Sequence, residues 1–463
     1  MKKEKRHFGL IQSAQAAKPK DTTDATPILV EITKPLYGGQ FLARNEGKAV
    51  FVPLTLPGEQ MRVRITEEKK SYSMAEPLET VLASTDRIAP ACQHFGVCGG
   101  CSYQHARYES QVAMKESILR ETLTRSGVTP SETIDIFAAN PWAYRNRIRL
   151  AIDAQGNPGY RGRRSHAIVP IRECPIAAPA LVAAAEIVAE VLCKARPALR
   201  LSEISLFCNQ DESAMLATLF LASTDRSKDR STFQKGLESI FHNLAERIPA
   251  LRGAEVISEA DERDQPRSLA QWGDSSINYQ AAGFDYRVDQ GAFFQVNRWL
   301  IDALVDRVVG EHAGSVAWDL FAGVGLFARQ LTKRFRKVIA VESAPAALTA
   351  LEANLAETSG SAVRATTLEF LRRAVQSSRS ASEFERPELV IVDPPRMGLG
   401  PEVTALLGQA APAKIIYVSC DPATLGRDLR ALIEDGYAIE SIALADLFPQ
   451  TYHLESVVTL QHF

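Results

Sequence analysis

The chain of 463 residues has no run approaching the roughly 18 consecutive apolar residues that a membrane-spanning helix needs. Its alanine-rich stretch, Ala177–Leu192, is interrupted by Glu186 and Glu190 and reads as a helix of a soluble protein. The basic start, Met1 to Arg6, has no apolar segment behind it, which excludes a secretory signal. An excess of positive charge is also missing. Lys and Arg number 53 against 55 Asp and Glu, for a net charge of -2. A protein basic all over is excluded, so any nucleic-acid surface has to be a local patch. The seven cysteines are odd in number and unevenly spaced, which argues against a disulfide framework and for reduced thiols or metal ligation. These absences point to the cytoplasm, with no membrane partner. What remains is ordinary for a globular enzyme, 46% hydrophobic and 23% charged, and the length suggests about three domains.

The most informative stretch is Ile415–Leu429. An apolar run, Ile415–Val418, ends abruptly in polar residues, and Asp421 and Pro422 then open a helix. In open parallel α/β sheets ligands sit beyond the carboxyl ends of the strands, so Cys420 is expected at the working edge. A thiol near a helix N-terminus is expected to have a lowered pKa. The bland alternative is a small apolar core cysteine. Upstream, Val316–Leu326 runs from an apolar strand into a Gly-rich turn, and Val338–Glu342 is a second strand ending in an acid 23 residues after Asp319. That is the nucleotide-ribose arrangement of doubly wound folds. The turn lacks the third Gly that cradles a pyrophosphate, which favours a cofactor without one, such as S-adenosylmethionine. A third strand, Leu389–Val392, carries Asp393 at its tip and is stopped by two prolines.

Cys92, Cys98 and Cys101 are spaced Cys-x5-Cys-Gly-Gly-Cys, and Cys174 in Arg172-Glu-Cys-Pro is a candidate fourth ligand. Four thiolates suit tetrahedral zinc or a [4Fe-4S] cluster, and spacing alone leaves both open. Cys193 and Cys208 have no such partners and read as core residues. Residues 1–26 are polar and expected to be a disordered basic tail. From residue 27 to 84, short alternating strands separated by turns suggest a small closed barrel. Phe51-Val-Pro-Leu and Leu56-Pro-Gly-Glu in it resemble phrases of the TRAM domain, an OB-like RNA-binding module. Lys69, Lys70 and Tyr72 are candidate RNA contacts there, or a solvated hairpin. The run Tyr144–Arg164 interleaves arginine with tyrosine and glycine, suiting either phosphate contacts or a charged strand face. Residues 85–290 are expected to be a central α+β domain carrying the cysteine cluster, with a polar loop around Asp261–Arg267, and residues 291–463 the catalytic domain.

Asp319-Leu-Phe-Ala-Gly-Val-Gly, Val392-Asp-Pro-Pro-Arg, Val418-Ser-Cys-Asp-Pro and Phe448-Pro-Gln-Thr-Tyr-His-Leu-Glu455 follow one another in order. Together they resemble the RNA 5-methyluridine methyltransferases, the S-adenosylmethionine-dependent uracil-C5 enzymes. The resemblance implies an α/β fold, with a class I (Rossmann-like) methyltransferase domain behind an OB-like TRAM barrel and a central α+β iron–sulfur domain. It implies that Cys420 is the nucleophile adding to C6 of the uracil, and that Glu455 is the base removing the C5 proton. It implies cofactor contacts from Gln295, Phe321, Gly323, Glu342 and Asp393, and it favours [4Fe-4S] over zinc at Cys92, Cys98, Cys101 and Cys174. Phe293–Asn297 is expected to open the helix leading into the catalytic domain. Leu326 departs from the polar residue, often Asn, that many relatives place after the second Gly, which puts a contact to the amino-acid end of the cofactor in doubt. Adenine contact through Glu369 has no persuasive motif behind it. The implied partner is RNA, ribosomal RNA more than transfer RNA, with a transfer-RNA uracil-C5 methyltransferase as the alternative, and the implied state is a monomer. One rival is a methyltransferase for another atom, although an amino-group enzyme would want an aromatic residue where Arg396 stands. The other is a non-catalytic iron–sulfur RNA-binding protein, which would not need Cys420, Asp393 and Glu455 together.

Overall fold

The computed structural model describes residues 26–194, 201–221, 230–258, 267–379 and 385–463. The tail expected over residues 1–26 thus falls almost wholly outside the described residues, as do most of the Asp261–Arg267 loop and the side chain of Cys193. Contacts divide the chain into two units, one reaching Leu36 and resuming over Gln40–Thr85, the other comprising Tyr37–Gly39 and Asp86–Phe463.

The smaller unit is a closed five-stranded barrel. Its strands are Ile28–Leu36, Gln40–Asn45, Lys48–Pro53, Gln60–Glu68 and Tyr72–Leu82. Alternation turns Val30, Ile32, Phe41, Ala43, Val50, Val52, Val63 and Ala75 inward, where all are buried. A buried carboxylate organises one corner: Glu59 accepts from the N–H of Leu56 at 2.7 Å and of Ser84 at 3.3 Å. At the Lys69 hairpin the ammonium pairs with Glu67 at 2.6 Å and the Tyr72 ring lies 5.3 Å from Phe51.

The larger unit contains two main sheets. The central one has seven strands, in the order Arg267–Gly273, Leu251–Ser258, Met215–Leu221, Leu201–Cys208, Arg147–Ile152, Pro158–Arg161 and Ile168–Pro170. Helices Pro179–Lys194 and Arg230–Arg247 share one core with it. Leu181, Ala184, Ala185, Val188 and Leu192 recur at helical spacing and line that core. Cys208 is buried there. The Tyr144–Arg164 run does not form a single charged face. Arg147 lies over the Phe207 ring at 4.5 Å, and burial lowers its pKa to about 10. Arg149 pairs with Glu203 at 2.5 Å.

The second sheet has eight strands, in the order Gly360–Arg364, Phe335–Glu342, Gly314–Leu320, Leu389–Val392, Lys414–Ser419, Glu455–His462, Tyr437–Ala445 and Asp135–Phe137. The first five run parallel. Glu455–His462 then enters antiparallel beside Lys414–Ser419. Ile415, Ile416, Tyr417 and Val418 are wholly buried, as the uninterrupted apolar run requires of a strand covered on both faces. Strand order reverses between Gly314–Leu320 and Leu389–Val392, which opens a crevice at their carboxyl ends.

Phe293–Asn297 corrects one expectation, because it is not helical and the next helix begins at Ile301. Tertiary hydrogen bonds hold it instead. Asn146 donates from Nδ2 to Gln295 O at 2.9 Å and from its backbone to Val296 at 3.0 Å, while Asn297 Nδ2 donates to Leu447 O at 3.1 Å.

Candidate functional site

The Gly-rich turn leaves its strand at Asp319 and Leu320 and is built on three left-handed residues, Phe321 at φ 69°, Gly323 at 55° and Gly325 at 88°. A phenylalanine in that region is strained and persists only where its surroundings over-determine it. Glu342 supplies part of that restraint. Its carboxylate accepts from Gly323 N–H at 2.9 Å, and from Ser343 and Ala344 at 2.6 and 2.7 Å. Asp319 beneath the turn is fully buried. One oxygen accepts from Ala328 N–H at 2.9 Å, and the other has no partner. Burial pushes its pKa up to about 7. Leu326 is buried in the core rather than turned to the crevice, and its carbonyl accepts from Tyr286. Glu369 accepts from Thr366 at the start of its own helix.

Asp393 follows the neighbouring strand, and Gln295 Nε2 reaches its Oδ2 at 3.4 Å. Cys420 follows the next strand out. Asp421 caps the helix Pro422–Glu434, accepting from Ala423 and Thr424 N–H at 3.0 Å each. Glu455 starts the inserted antiparallel strand. Ser419 pairs with Ser456, so the same register extended by one residue sets Cys420 opposite Glu455. The structure thus brings Cys420, Glu455, Asp393 and Gln295 to one sheet edge, with Phe321, Gly323 and Glu342 along the adjoining strand ends.

The electrostatics correct the expectation of a lowered thiol pKa. Cys420 is pushed up to about 12, by burial first and then by the carboxylates of Glu455 and Asp393, while Arg396 pulls it down. The helix N-terminus behind it does not outweigh two acids in front. Burial holds Asp393 up at about 7 and Glu455 well above the carboxylate range, and the two acids oppose each other's ionisation. Arg396 is the cation among them. Its Nη2 lies 3.0 Å from His453 Nδ1, and burial and Arg396 together lower that imidazole to about 4. Local sequence gives Arg396 and His453 no role, since their meeting depends on a contact across 57 residues.

The four remaining sequence-predicted residues lie elsewhere in this unit. Cys92, Cys98, Cys101 and Cys174 all line one cavity of about 70 Å³, together with Gln104, Arg145 and Tyr160. Gly100 N–H points at Cys98 Sγ at 3.4 Å, and Gln104 Oε1 accepts from Cys92 N–H at 3.0 Å. Gly99 is required by close approach, since a Cβ there would stand 2.9 Å from Arg161 O. Burial raises the thiols of Cys98, Cys101 and Cys174, Cys101 to about 12. Among the described residues no three His, Cys, Asp or Glu side chains meet as a ligand set for a metal ion. No helix among them is long and apolar enough to cross a membrane.

Two family models match the chain, tRNA (Uracil-5-)-methyltransferase over residues 263–463 and the TRAM domain over residues 26–78. A protein of Streptomyces avermitilis described as an uncharacterized RNA methyltransferase is 33% identical, over 93% of this chain and 97% of the relative. A 23S rRNA (uracil(1939)-C(5))-methyltransferase of Klebsiella pneumoniae is 33% identical, over 91% of this chain and 93% of its own. Among solved structures, the Pyrococcus abyssi tRNA (uracil-54, C5)-methyltransferase in complex with S-adenosyl-L-homocysteine matches with TM-score 0.69. That match covers 93% of this chain and 100% of the other at 24% identity, which speaks to the fold.

Proposed function

We propose that this chain, which belongs to the RNA uracil-C5 methyltransferase family, methylates a uridine of large-subunit ribosomal RNA through covalent catalysis by Cys420. It is an RNA (uracil-C5-)-methyltransferase dependent on S-adenosylmethionine. Ribosomal RNA is favoured by the Klebsiella relative at 33% identity, against the transfer-RNA enzyme at 24%. An RNA substrate suits the TRAM match and a cytoplasmic setting.

The observation that carries the mechanism is the register that sets Cys420 opposite Glu455, with Asp393 between the nucleophile and the Gly-rich turn. Carbon 5 of uracil is a poor nucleophile until something adds at carbon 6. The Cys420 thiol gives up its proton to solvent and the thiolate sulfur bonds to C6, moving the C5=C6 electron pair into an enolate. Arg396 eases that ionisation. Gln295 can donate and accept at the pyrimidine edge. S-adenosylmethionine would supply an electrophilic methyl group at the crevice. The residues present fit it: Glu342 at the tip of its strand, the left-handed Phe321–Gly323 turn, and Asp393 on the facing strand end. Glu455 then accepts the C5 proton, the electron pair re-forms C5=C6, and the C6–S bond breaks to release Cys420. Burial raises the Glu455 carboxyl well above the ordinary carboxylate range, which makes it a stronger base for that transfer.

Cys92, Cys98, Cys101 and Cys174 would hold a [4Fe-4S] cluster. Four thiols line one cavity, and a cubane takes one thiolate per iron. Arg145 beside them suits a negatively charged centre. No catalytic step needs the cluster, which would tie Cys174 to the Cys92–Cys101 loop.

Glu455→Gln tests the mechanism. The variant is expected to add to RNA and methylate it but to stall, accumulating a methylated RNA–protein adduct that survives denaturing gels. Cys420→Ala in the same background should abolish that adduct. A folded Glu455→Gln enzyme that traps no methylated RNA would require a different base.

A further inference from the structure

The loop that leads into Glu455 has its carbonyls held from elsewhere in the unit. Asn297 Nδ2 donates to Leu447 O at 3.1 Å, Lys115 Nζ to Phe448 O at 2.9 Å, and Tyr144 OH to Pro449 O at 3.1 Å. The N–H groups of Ser102 and Tyr103 both donate to Gln450 O, at 2.9 and 3.0 Å. Gln450 is also bound twice by one side chain: its N–H donates to Gln111 Oε1 and its Oε1 accepts from Gln111 Nε2, each at 3.0 Å. With φ at 67°, Gln450 adopts a left-handed conformation that persists only under such restraint.

Lys115 also donates to Asp446 Oδ1 at 2.5 Å, and Tyr108 OH donates to Oδ2 at 2.8 Å. Lys115 and Asp446 are both wholly buried. Tyr108, Gln111 and Lys115 recur at intervals of three and four on the helix Tyr108–Arg125, so they share one face. A helix ordinarily fills its buried stripe with apolar groups. An ammonium–carboxylate pair taken out of water is a poor source of stability. It does impose one geometry, and what it imposes geometry on is the segment ending in the proposed base.

We propose that Gln111 and Lys115 are positioning residues for proton removal, holding the Asp446–Gln450 loop so that the Glu455 carboxylate faces C5 of the methylated pyrimidine. The inference rests on Glu455 being the base. Cys420 and Asp393 follow strands whose positions come from the parallel sheet, so loosening the loop acts on the second half of the reaction. Thiol addition and methyl transfer are left intact.

Gln111→Leu keeps the volume and removes both bonds to Gln450. Turnover is expected to fall about 10- to 100-fold, the scale set by misplacing a catalytic group by about an ångström. KM for S-adenosylmethionine should stay within about twofold and the first methyl transfer should keep its rate. The methylated adduct should accumulate as in Glu455→Gln. The double variant Lys115→Met with Asp446→Asn removes the ion pair without leaving a buried charge unpaired, and should show the same split. Wild-type turnover without adduct in both folded proteins overturns the proposal. Parallel loss of cofactor binding and first-turnover methylation overturns it too, as does failure of both variants to fold, since each marks a purely structural network. If Glu455→Gln traps adduct and neither of these variants does, the positioning role alone falls. If Glu455→Gln traps none, the base assignment falls first.

Discussion

Two places in this protein gather half-buried thiols, and the same side chain meets opposite surroundings in them. Cys420 and Cys101 are both pushed up to about 12, in each case mainly by burial. Around Cys420 the further opposition comes from the acids Glu455 and Asp393, with Arg396 relieving it. Around Cys101 it comes from Cys174 and Cys98, with Gln104 and Arg145 relieving it. Acids can be neutralised by a proton, so the first site is built to move protons. Neighbouring thiols, protonated at neutral pH, are held together as thiolates by a shared cation. Burial makes a thiol inert in both places, and the neighbours decide what can wake it.

The largest effect that would break this contrast is at the nucleophile. Cys420→Ala is expected to lower methyl transfer by more than about 10⁴-fold, as loss of a covalent nucleophile does, while leaving S-adenosylmethionine affinity unchanged by calorimetry. Measurable methylation of RNA by that variant would remove the distinction between the two sites. Cys98→Ser comes next. Anaerobically purified wild-type protein is expected to be brown, with about four irons per chain. Cys98→Ser should lose that colour and lower Tm by about 5 °C or more, yet still become covalently trapped by 5-fluorouridine RNA. One zinc per chain and a colourless wild type would sink the cluster.

The pH dependence sharpens the proton side. Below their raised pKa values Asp393 and Glu455 carry protons, no base is present, and turnover is low. Activity should therefore climb at a pH well above the ordinary carboxylate range of about 4, because burial raises the Glu455 carboxyl. Asp393→Asn removes the charge that opposes ionisation of Glu455, and should move that limb to lower pH, whatever it costs in rate. A limb that stays in place would uncouple the two acids. The smallest expected effect is that of Arg396→Gln. Without the cation, Cys420 ionises less readily, and covalent trapping by 5-fluorouridine RNA should slow about tenfold at pH 7 and recover at higher pH. An unchanged trapping rate would leave the thiol to the acids alone.

Much of the site could be read from local signals. The run Ile415–Val418, the cap at Asp421 with Pro422, the turn after Asp319 and the acid at Glu342 are each specified within a few residues, and the structure forms each as a strand end, turn or cap. Phe293–Asn297 was misread as helix because its conformation comes from Asn146 and Leu447, far away in sequence. The Cys420 thiol was misread for a kindred reason, since local reasoning supplied the helix terminus but not the two acids facing it. Lys115 and Gln111 carry no sequence signal at all, because in an exposed helix they would be ordinary surface residues.

The sequence by itself determined which side chains this protein can bring to a reaction and the strand, turn or helix each one sits on. Those choices rest on hydrogen bonds and apolar spacing within a few residues, and they need no fold to be legible. Tertiary structure alone decided how the groups face and what they weigh. Antiparallel entry of the last strand sets Glu455 against Cys420, 35 residues away. Burial then moves Asp393, Glu455 and the thiol far from their values in water, and it seats Lys115 beside Asp446. Desolvation and Coulomb interaction are properties of what packs around a group, and most of what packs around these is distant in sequence.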